Sequence, residues 1–387
     1  MNTLVHKATV LITILLFVFY LPTGNTLLPS ACQPAAAWAA ESGKATWKQK
    51  WEELVTAAKK EGNLAVYTTA SGGDVRKTTA AFTEKFGIKV EVLSARGPEL
   101  VQKMEAQRRA GLYTVDIVIA GGNNLAFEMK PRGYLDKFDQ ILILPEATDP
   151  KSWVSGNGPY IDKDHCAIGM VASFTRQFIK NTNLVREGEI SSYKDMLKPR
   201  WKGKMIVSDP TIAGAGNSFV SSLATIWGVE ETKQFLKQLV KQDLAITRDL
   251  RQEVEWVARG KYELGVGTHG ETVGEFINAG APIYPVMAVE GGMVTSMSYG
   301  LGIVTQRPNP NAAAVFANWI LSREGHTVLV RNTRLPGARV DGPREGIPAI
   351  FFPQPGEKFF TATEESFRNQ QEMLKVAAEI FNPVLKK

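Results

Sequence analysis

Two periods of apolar residues alternate along most of the chain. Trp47, Trp51, Leu54, Val55 and Ala58 fall on one helical face, opened by the capping pattern Thr46-Trp47-Lys48-Gln49 and closed at Gly62. Residues 63–67 (NLAVY) read as a short buried strand that stops in a polar, glycine-bearing segment, 68–74. The pattern then repeats: a helix over 75–86, a strand over 88–93, a helix over 98–109, and a strand over 115–119 that breaks at Gly121-Gly122-Asn123. Strands alternating with amphipathic helices predict an α/β fold with a parallel sheet.

The rhythm is lost after Pro145. Residues 149–164 are rich in Gly, Pro and Asp and carry no helical period, and a long extended stretch follows over 166–179. Alternation then resumes, with strands predicted at 204–207, 244–247 and 263–266 and helices at 217–227, 230–241 and 252–259. Residues 283–289 form a second extended stretch, followed by a strand over 296–305, a helix over 311–321 continuing through 324–330, a Pro/Gly-rich segment over 343–355 and a last amphipathic helix over 363–380. Two α/β units joined by two extended crossovers are therefore expected. The first lobe takes 41–150 and 285–340, the second takes 151–284, and 341–387 form a helical tail packed back on the lobes.

The amino end changes where this fold is expected to work. Lys7, the apolar run 10–21 and the small-residue pattern Ala37-Trp38-Ala39 make residues 1–40 read as a secretory signal, with cleavage after Ala39. Cys32, after Leu28-Pro29-Ser30-Ala31, offers a second possibility, a lipid-anchored terminus. A periplasmic protein is expected. Lys7 is the one formally charged side chain in that segment, so its removal takes the net charge from +6 to +5. The charge is spread along the chain, with no basic run of the kind that binds nucleic acid, and it is compatible with an anionic ligand. With residues 1–40 removed only Cys166 remains, so the mature part is expected to form no intrachain disulfide and to draw its stability from packing.

Several segments together resemble type II periplasmic solute-binding proteins of ABC importers, in the group holding iron, thiamine, polyamine and phosphonate receptors. They are Val66-Tyr67-Thr68 leading to Phe82-x-x-Lys85-x-Gly87-Ile88-x-Val90; Gly111 followed by Asp116-Ile117-Val118; Ile179-Lys180-Asn181-Thr182-Asn183-Leu184; Trp201-Lys202-Gly203-Lys204 with Asp209-Pro210; Tyr284-Pro285 with Glu290-Gly291; and Ala317-Asn318-Trp319-Ile320-Leu321-Ser322-x-Glu324-Gly325. Each is weak alone; their order and spacing over 47–345 carry the resemblance. It implies a two-lobed, hinge-closing, type II fold that hands a small-molecule solute to a membrane permease. It also implies a monomer with no cofactor and no catalytic activity.

In open α/β sheets ligands sit beyond the carboxyl ends of strands, which here are small and polar in both lobes. The loop 208–218 ends a strand and starts a helix with Ala215, Gly216, Asn217 and Ser218, where free N–H groups favour a carboxylate, phosphate or phosphonate. The alternative is that Asn217 or Ser218 merely caps the helix. Thr69, Ser71 and Gly72 form the matching loop of the first lobe, and Gly122 and Asn123 end its next strand. Thr268 and His269 stand where the iron-binding relatives are expected to carry a tyrosine pair. This chain has no Tyr-Tyr, and the loop 69–72 lacks a histidine. Ferric iron wants hard anionic oxygens, so an anionic organic solute is the first expectation and ferric iron the second, with no metal assigned. Arg248 could pair with an anion or with a surface acid, and Tyr299 could stack on a ligand or belong to the core.

Enzyme readings find little. Ser191-x-x-Lys194 has no Ser-Asp-Asn or Lys-Thr-Gly partner, there is no Gly-x-Ser-x-Gly or Walker pattern, and His6, His165, His269 and His326 have no metal-ligand spacing. A ligand-sensing module of a signalling system is the remaining alternative of another class, ahead of an exported hydrolase.

Overall fold

A computed structural model describes residues 46–212, 214–268 and 270–385. The expected signal segment, with Cys32, lies outside the described residues. The first lobe opens with α1 (Trp47–Glu61), β1 (Asn63–Thr68), α2 (Gly72–Phe86), β2 (Lys89–Ser94), α3 (Gly97–Arg109) and β3 (Ile117–Ala120). The Thr46 capping box forms, and Gly62 and Gly87 end α1 and α2 in the left-handed region at φ 71°, where a side chain would be strained. Short elements follow: β4 (Leu135–Asp136), α4 (Pro145–Thr148) and β5 (Ile168–Gly169).

The chain then crosses through β6 (Ser173–Thr175) into the second lobe. That lobe holds β7 (Phe178–Asn181), β8 (Met205–Ser208), α5 (Ala215–Trp227), α6 (Val229–Leu239), β9 (Ala245–Thr247), α7 (Leu250–Ala258), β10 (Leu264–Val266), α8 (Gly270–Asn278) and β11 (Ile283–Val286). The return crossing is β12 (Gly292–Thr295). The first lobe is completed by β13 (Gly300–Val304), α9 (Pro310–Leu321) and α10 (Arg323–Thr333), and the tail adds β14 (Phe359–Thr361) and α11 (Glu364–Leu385).

Each lobe has a parallel sheet with antiparallel strands inserted. The first runs β2-β1-β3-β13-β4, with β5 also on β13; β1, β2 and β3 are parallel, and β13 is antiparallel to β3. The second runs β11-β7-β10-β8-β9, with β7 antiparallel to β10 and β11. In the first lobe Phe82, Phe86, Phe316 and Trp319 pack together, with Phe82 and Phe316 centroids 5.1 Å apart. In the second, Phe178, Tyr193, Trp201 and Phe219 fill the core.

Two expectations need correction. The extended stretch at 283–289 is not the second crossover: Ile283–Val286 pairs with β7 as the edge of the second sheet, and the chain crosses at Gly292–Thr295. An apolar extended run has the same pattern whichever sheet it joins, so periodicity could not separate the two. The stretch 166–179 likewise divides into β5, β6 and β7, which belong to three different sheets.

The crossings form a third sheet of their own. β6 and β12 pair antiparallel, with Thr175 opposite Met293 and Ser173 opposite Thr295. β14 adds parallel to β12, so the tail is part of the hinge. Arg176, with only 5% of its side chain exposed, clamps it there. Its guanidinium donates through Nε to Glu357 Oε1 at 2.7 Å, pairs through Nη2 with Glu357 Oε2, and donates to the carbonyls of Ile350 (2.5 Å) and Phe352 (3.1 Å). The helix α11 then spans both lobes. Met373, Val376 and Phe381 join the second-lobe core, each burial contributing about 1.5–3 kcal/mol. Phe367 packs beside the first-lobe cluster, and Glu364 meets Lys130 at 3.1 Å. Asp162 and Asp164 hold the same ammonium at 2.9 and 2.6 Å. Burial opposes that charge, but the three carboxylates outweigh it and raise the Lys130 pKa. One lysine is thus shared among three carboxylates, which it compensates only in part.

Removing one partner of a buried ion pair leaves the other uncompensated. Arg176→Met is expected to strand Glu357 and two carbonyls and to lower stability by about 3–5 kcal/mol. Urea denaturation of the two proteins checks this; an unchanged midpoint would remove the clamp.

Candidate functional site

A cavity of about 360 Å³ lies between the lobes, walled by the hinge strands, α5, α8, the β12–β13 turn and the tail. Ser173 and Thr175 on β6 and Thr295 on β12 supply hydroxyls from the hinge; Ser218 and Ser222 supply them from α5; Thr268 does so from the end of β10. Met297, Ser298 and Leu335 form the first-lobe wall, and Phe351 of the tail closes another side. Among the described lining residues no side chain is charged: donors and acceptors are hydroxyls, the Gln177 amide and backbone.

The helix α5 is aimed at this space by close backbone contact. Gly216 lies so near the end of β8 that an added Cβ would stand 2.1 Å from the Ser208 carbonyl oxygen. Gly267, at φ 79°, abuts Gly216 from β10, where a Cβ would come within 3.0 Å of its Cα. These glycines draw the first turn of α5 against two strand ends. Gly214 at the N-cap makes no side-chain cap, so no N-cap side chain covers the first N–H groups at the positive end of the helix. Asn217, 1% exposed, lies in that first turn, and its Nδ2 has no hydrogen-bond partner. A buried amide donor without an acceptor is costly and marks a position where an acceptor belongs.

Behind the turn sits Glu253 of α7, fully buried. Ser208 Oγ donates to its Oε2. Burial pushes its pKa up to about 8, against the opposing influence of the Ser208 hydroxyl and the Val266 N–H. At neutral pH this carboxyl is largely protonated, so no buried negative charge stands behind the α5 terminus.

The expected residues divide. The cavity gathers Ala215, Ser218 and Thr268, with Gly216 and Asn217 in the adjoining turn. His269 lies outside the described residues. In the first lobe, Ser71 Oγ accepts the Asp74 N–H at 3.4 Å as the cap of α2, and Gly72 packs against Ser94; both serve the helix start. Thr69 donates its N–H to the Ile119 carbonyl at 2.9 Å, while its Oγ1 is buried without a partner. Gly122 and Asn123 are covered by α11: the Phe367 ring occupies the place of a Gly122 side chain, and the Asn123 amide donates to Gln370 Oε1. The expectation that these two face a ligand is corrected, because the tail helix fills that strand end. Arg248 is also corrected: its Nε pairs with Asp209 Oδ2 at 2.9 Å. Burial opposes the Asp209 charge, but the Thr211 hydroxyl and Arg248 hold its pKa below the ordinary value. Tyr299, 6% exposed, belongs to the first-lobe core, with its hydroxyl 3.4 Å from Asp74 Oδ2.

The hinge hydroxyls and Phe351 were missed from the sequence. Both lie on segments whose placement depends on the third sheet, and no local pattern announces that sheet. Cys166 and the Ser191–Lys194 pattern have structural surroundings: burial raises the Cys166 thiol pKa, and Lys194 pairs with Glu231 at 2.6 Å.

A two-lobed α/β fold with a cavity between its lobes at a helix start, lined among the described residues by neutral side chains, is compatible with a binding protein. The family profile described as bacterial extracellular solute-binding protein matches residues 77–339, and the chain belongs to that family, which supplies the solute-binding component of ABC importers. The chain is 21% identical over 266 residues to iron uptake protein A1 of Synechocystis, a match covering 65% of this chain and 69% of that protein. Its fold is similar to that of Mannheimia haemolytica ferric iron-binding protein A in an open conformation (TM-score 0.66, 18% identity, 82% and 98% of the two chains). It is similar also to the periplasmic binding protein AfuA of Actinobacillus pleuropneumoniae with fructose-6-phosphate bound (TM-score 0.61, 16% identity, 83% and 99%). No helix among the described residues is long and apolar enough to cross a membrane.

The raised pKa of Glu253 gives stability a defined pH dependence. The native state keeps the proton up to about pH 8, whereas an unfolded glutamate loses it near 4.5. The unfolded state therefore binds fewer protons between those values, and the Glu253 contribution to stability falls as pH rises through the window, then levels off. Glu253→Gln is expected to flatten this slope in denaturation series from pH 5 to 9. Parallel slopes for the two proteins would show that Glu253 is ionised.

Proposed function

We propose that this protein is a periplasmic receptor that captures a small anionic organic solute, a carboxylate, phosphate or phosphonate, between its lobes and delivers it to an ABC-transporter permease. The carrying observation is the first turn of α5, with its uncapped N–H groups and the partnerless Nδ2 of Asn217 beside the cavity. Partial positive charge at a helix start and a donor lacking an acceptor both favour an anion. The neutral Glu253 keeps competing negative charge away, and the hinge hydroxyls offer hydrogen bonds to the body of an organic solute. Ligand contacts with both lobes would shift the population toward a closed form that the permease reads.

Ferric iron is the second reading, favoured by the similarity to iron uptake protein A1 and ferric iron-binding protein A. Such a metal wants hard anionic oxygens. The described lining supplies neutral hydroxyls and an amide, which supports the organic anion first.

Thermal unfolding against organic phosphates, phosphonates, carboxylates and ferric citrate separates the readings. A ligand of the native state at a hundredfold excess over its Kd stabilises by about 2.7 kcal/mol. Ser218→Ala and Asn217→Ala are expected to weaken binding of the active anion about tenfold or more, as loss of direct polar contacts does, with the ligand-free melting temperature of Ser218→Ala nearly unchanged. Stabilisation by iron alone would favour the second reading.

A further inference from the structure

The match to the family ends at residue 339, yet one wall of the cavity comes from beyond it. Phe351, 8% exposed, packs with Val330 of α10 and Ile347 on one side and with α8 on the other. Its ring lies against Gly270 and Gly274, where an added Cβ would stand 3.1 Å from ring carbons at both positions. Those two glycines, one helical turn apart, leave a groove that the ring fills. The flanking chain is fixed, because Arg176 holds the carbonyls of Ile350 and Phe352, the residues on either side of Phe351. The ring thus reaches the cavity on a rigid mount that joins hinge, first lobe and second lobe.

We infer that Phe351 is a specificity-determining residue of the solute cavity, selecting solutes whose organic body offers a nonpolar face over bare oxyanions. This rests on the reading of that cavity as the solute site. A volume of about 360 Å³ is in the range of organic-ligand sites and far exceeds the needs of an inorganic anion. Leu250, Met297, Leu335 and Phe351 give it apolar surface, while the α5 start takes the charge. An aromatic ring is suited to the C–H face of a sugar or polyol carrying hydroxyls at its edge, and the hinge hydroxyls are placed to meet such edges.

Titration calorimetry of the purified protein and its Phe351→Ala and Phe351→Leu variants tests this, with inorganic phosphate, glycerol 3-phosphate, fructose 6-phosphate and citrate as probes. The organic anion that binds best is expected to lose about tenfold in Phe351→Ala and less in Phe351→Leu, which keeps bulk without the ring. Affinity for inorganic phosphate should change less than about twofold, so the ratio of the two affinities moves. An unchanged ratio, with both proteins binding, overturns the role of Phe351 and leaves the cavity standing as the solute site. Loss of all probes alike in both variants also overturns it, since it marks a structural role. Failure of the unsubstituted protein to bind any probe removes the solute-site reading and this inference with it.

Discussion

The antiparallel pairing of β6 with β12 is the constraint on which the rest of the molecule depends. Two lobes, each with its own sheet and core, meet through strands of three and four residues. Those strands bond to each other and to β14 rather than to either lobe sheet. A small separate sheet can twist while both lobe cores stay intact, which is the requirement for rigid-body closure. Because Ser173, Thr175 and Thr295 also line the cavity, hinge and site share residues: whatever a ligand does to those hydroxyls acts directly on the element that sets the lobe angle.

The tail makes this hinge more than a two-strand crossing. β14 extends the sheet, Arg176 pins residues 350–357 beneath it, and α11 continues across to contact both lobes. The lobe contacts of α11 differ in kind. On the second lobe they are apolar and continuous with the core, while on the first they are the Phe367 ring, an amide pair and the Lys130 carboxylate cluster. A closing motion can exchange polar contacts at modest cost, whereas stripping Met373 and Phe381 from a packed core would be far more expensive. The helix is thus anchored more firmly to the second lobe than to the first.

Much of the fold was legible because amphipathic helices and buried strands carry their period locally. The capping box at Thr46, the stop at Gly62 and the alternation through β3 needed no tertiary information. The crossovers were half legible: extended character showed at 166–179 and 283–289, but sheet membership depends on partners far along the chain, such as Ser173 with Thr295 and Ile283 with Asn181. The start of α8 at Gly270 was hidden because glycines there weaken the helix pattern and serve the Phe351 ring instead. Of the candidate site, the α5 start could be read from Gly214-Ala215-Gly216-Asn217-Ser218, since a strand, small residues and a helix are consecutive in sequence. The first-lobe loops could not, because equivalent local patterns at Gly122 and Asn123 were taken by α11, a segment more than two hundred residues later.

In the proposed reading an anion is held by dipoles instead of side-chain charges, which would suit a site that opens and closes. An arginine in the cavity would have to lose its hydration each time the lobes closed, and it would bias the lobes toward any acid it could reach while empty. Backbone N–H groups and hydroxyls carry no such bias. Their orientation is fixed in advance, at α5 by the contacts of Gly216 with Ser208 and Gly267. Glu253, behind that helix start, is held largely protonated by burial. Asp209 at the start of the loop and Arg248 compensate each other. Charge in the closed cavity would then come from the solute, and the differential stabilisation of the closed state would follow from the solute's own anionic group.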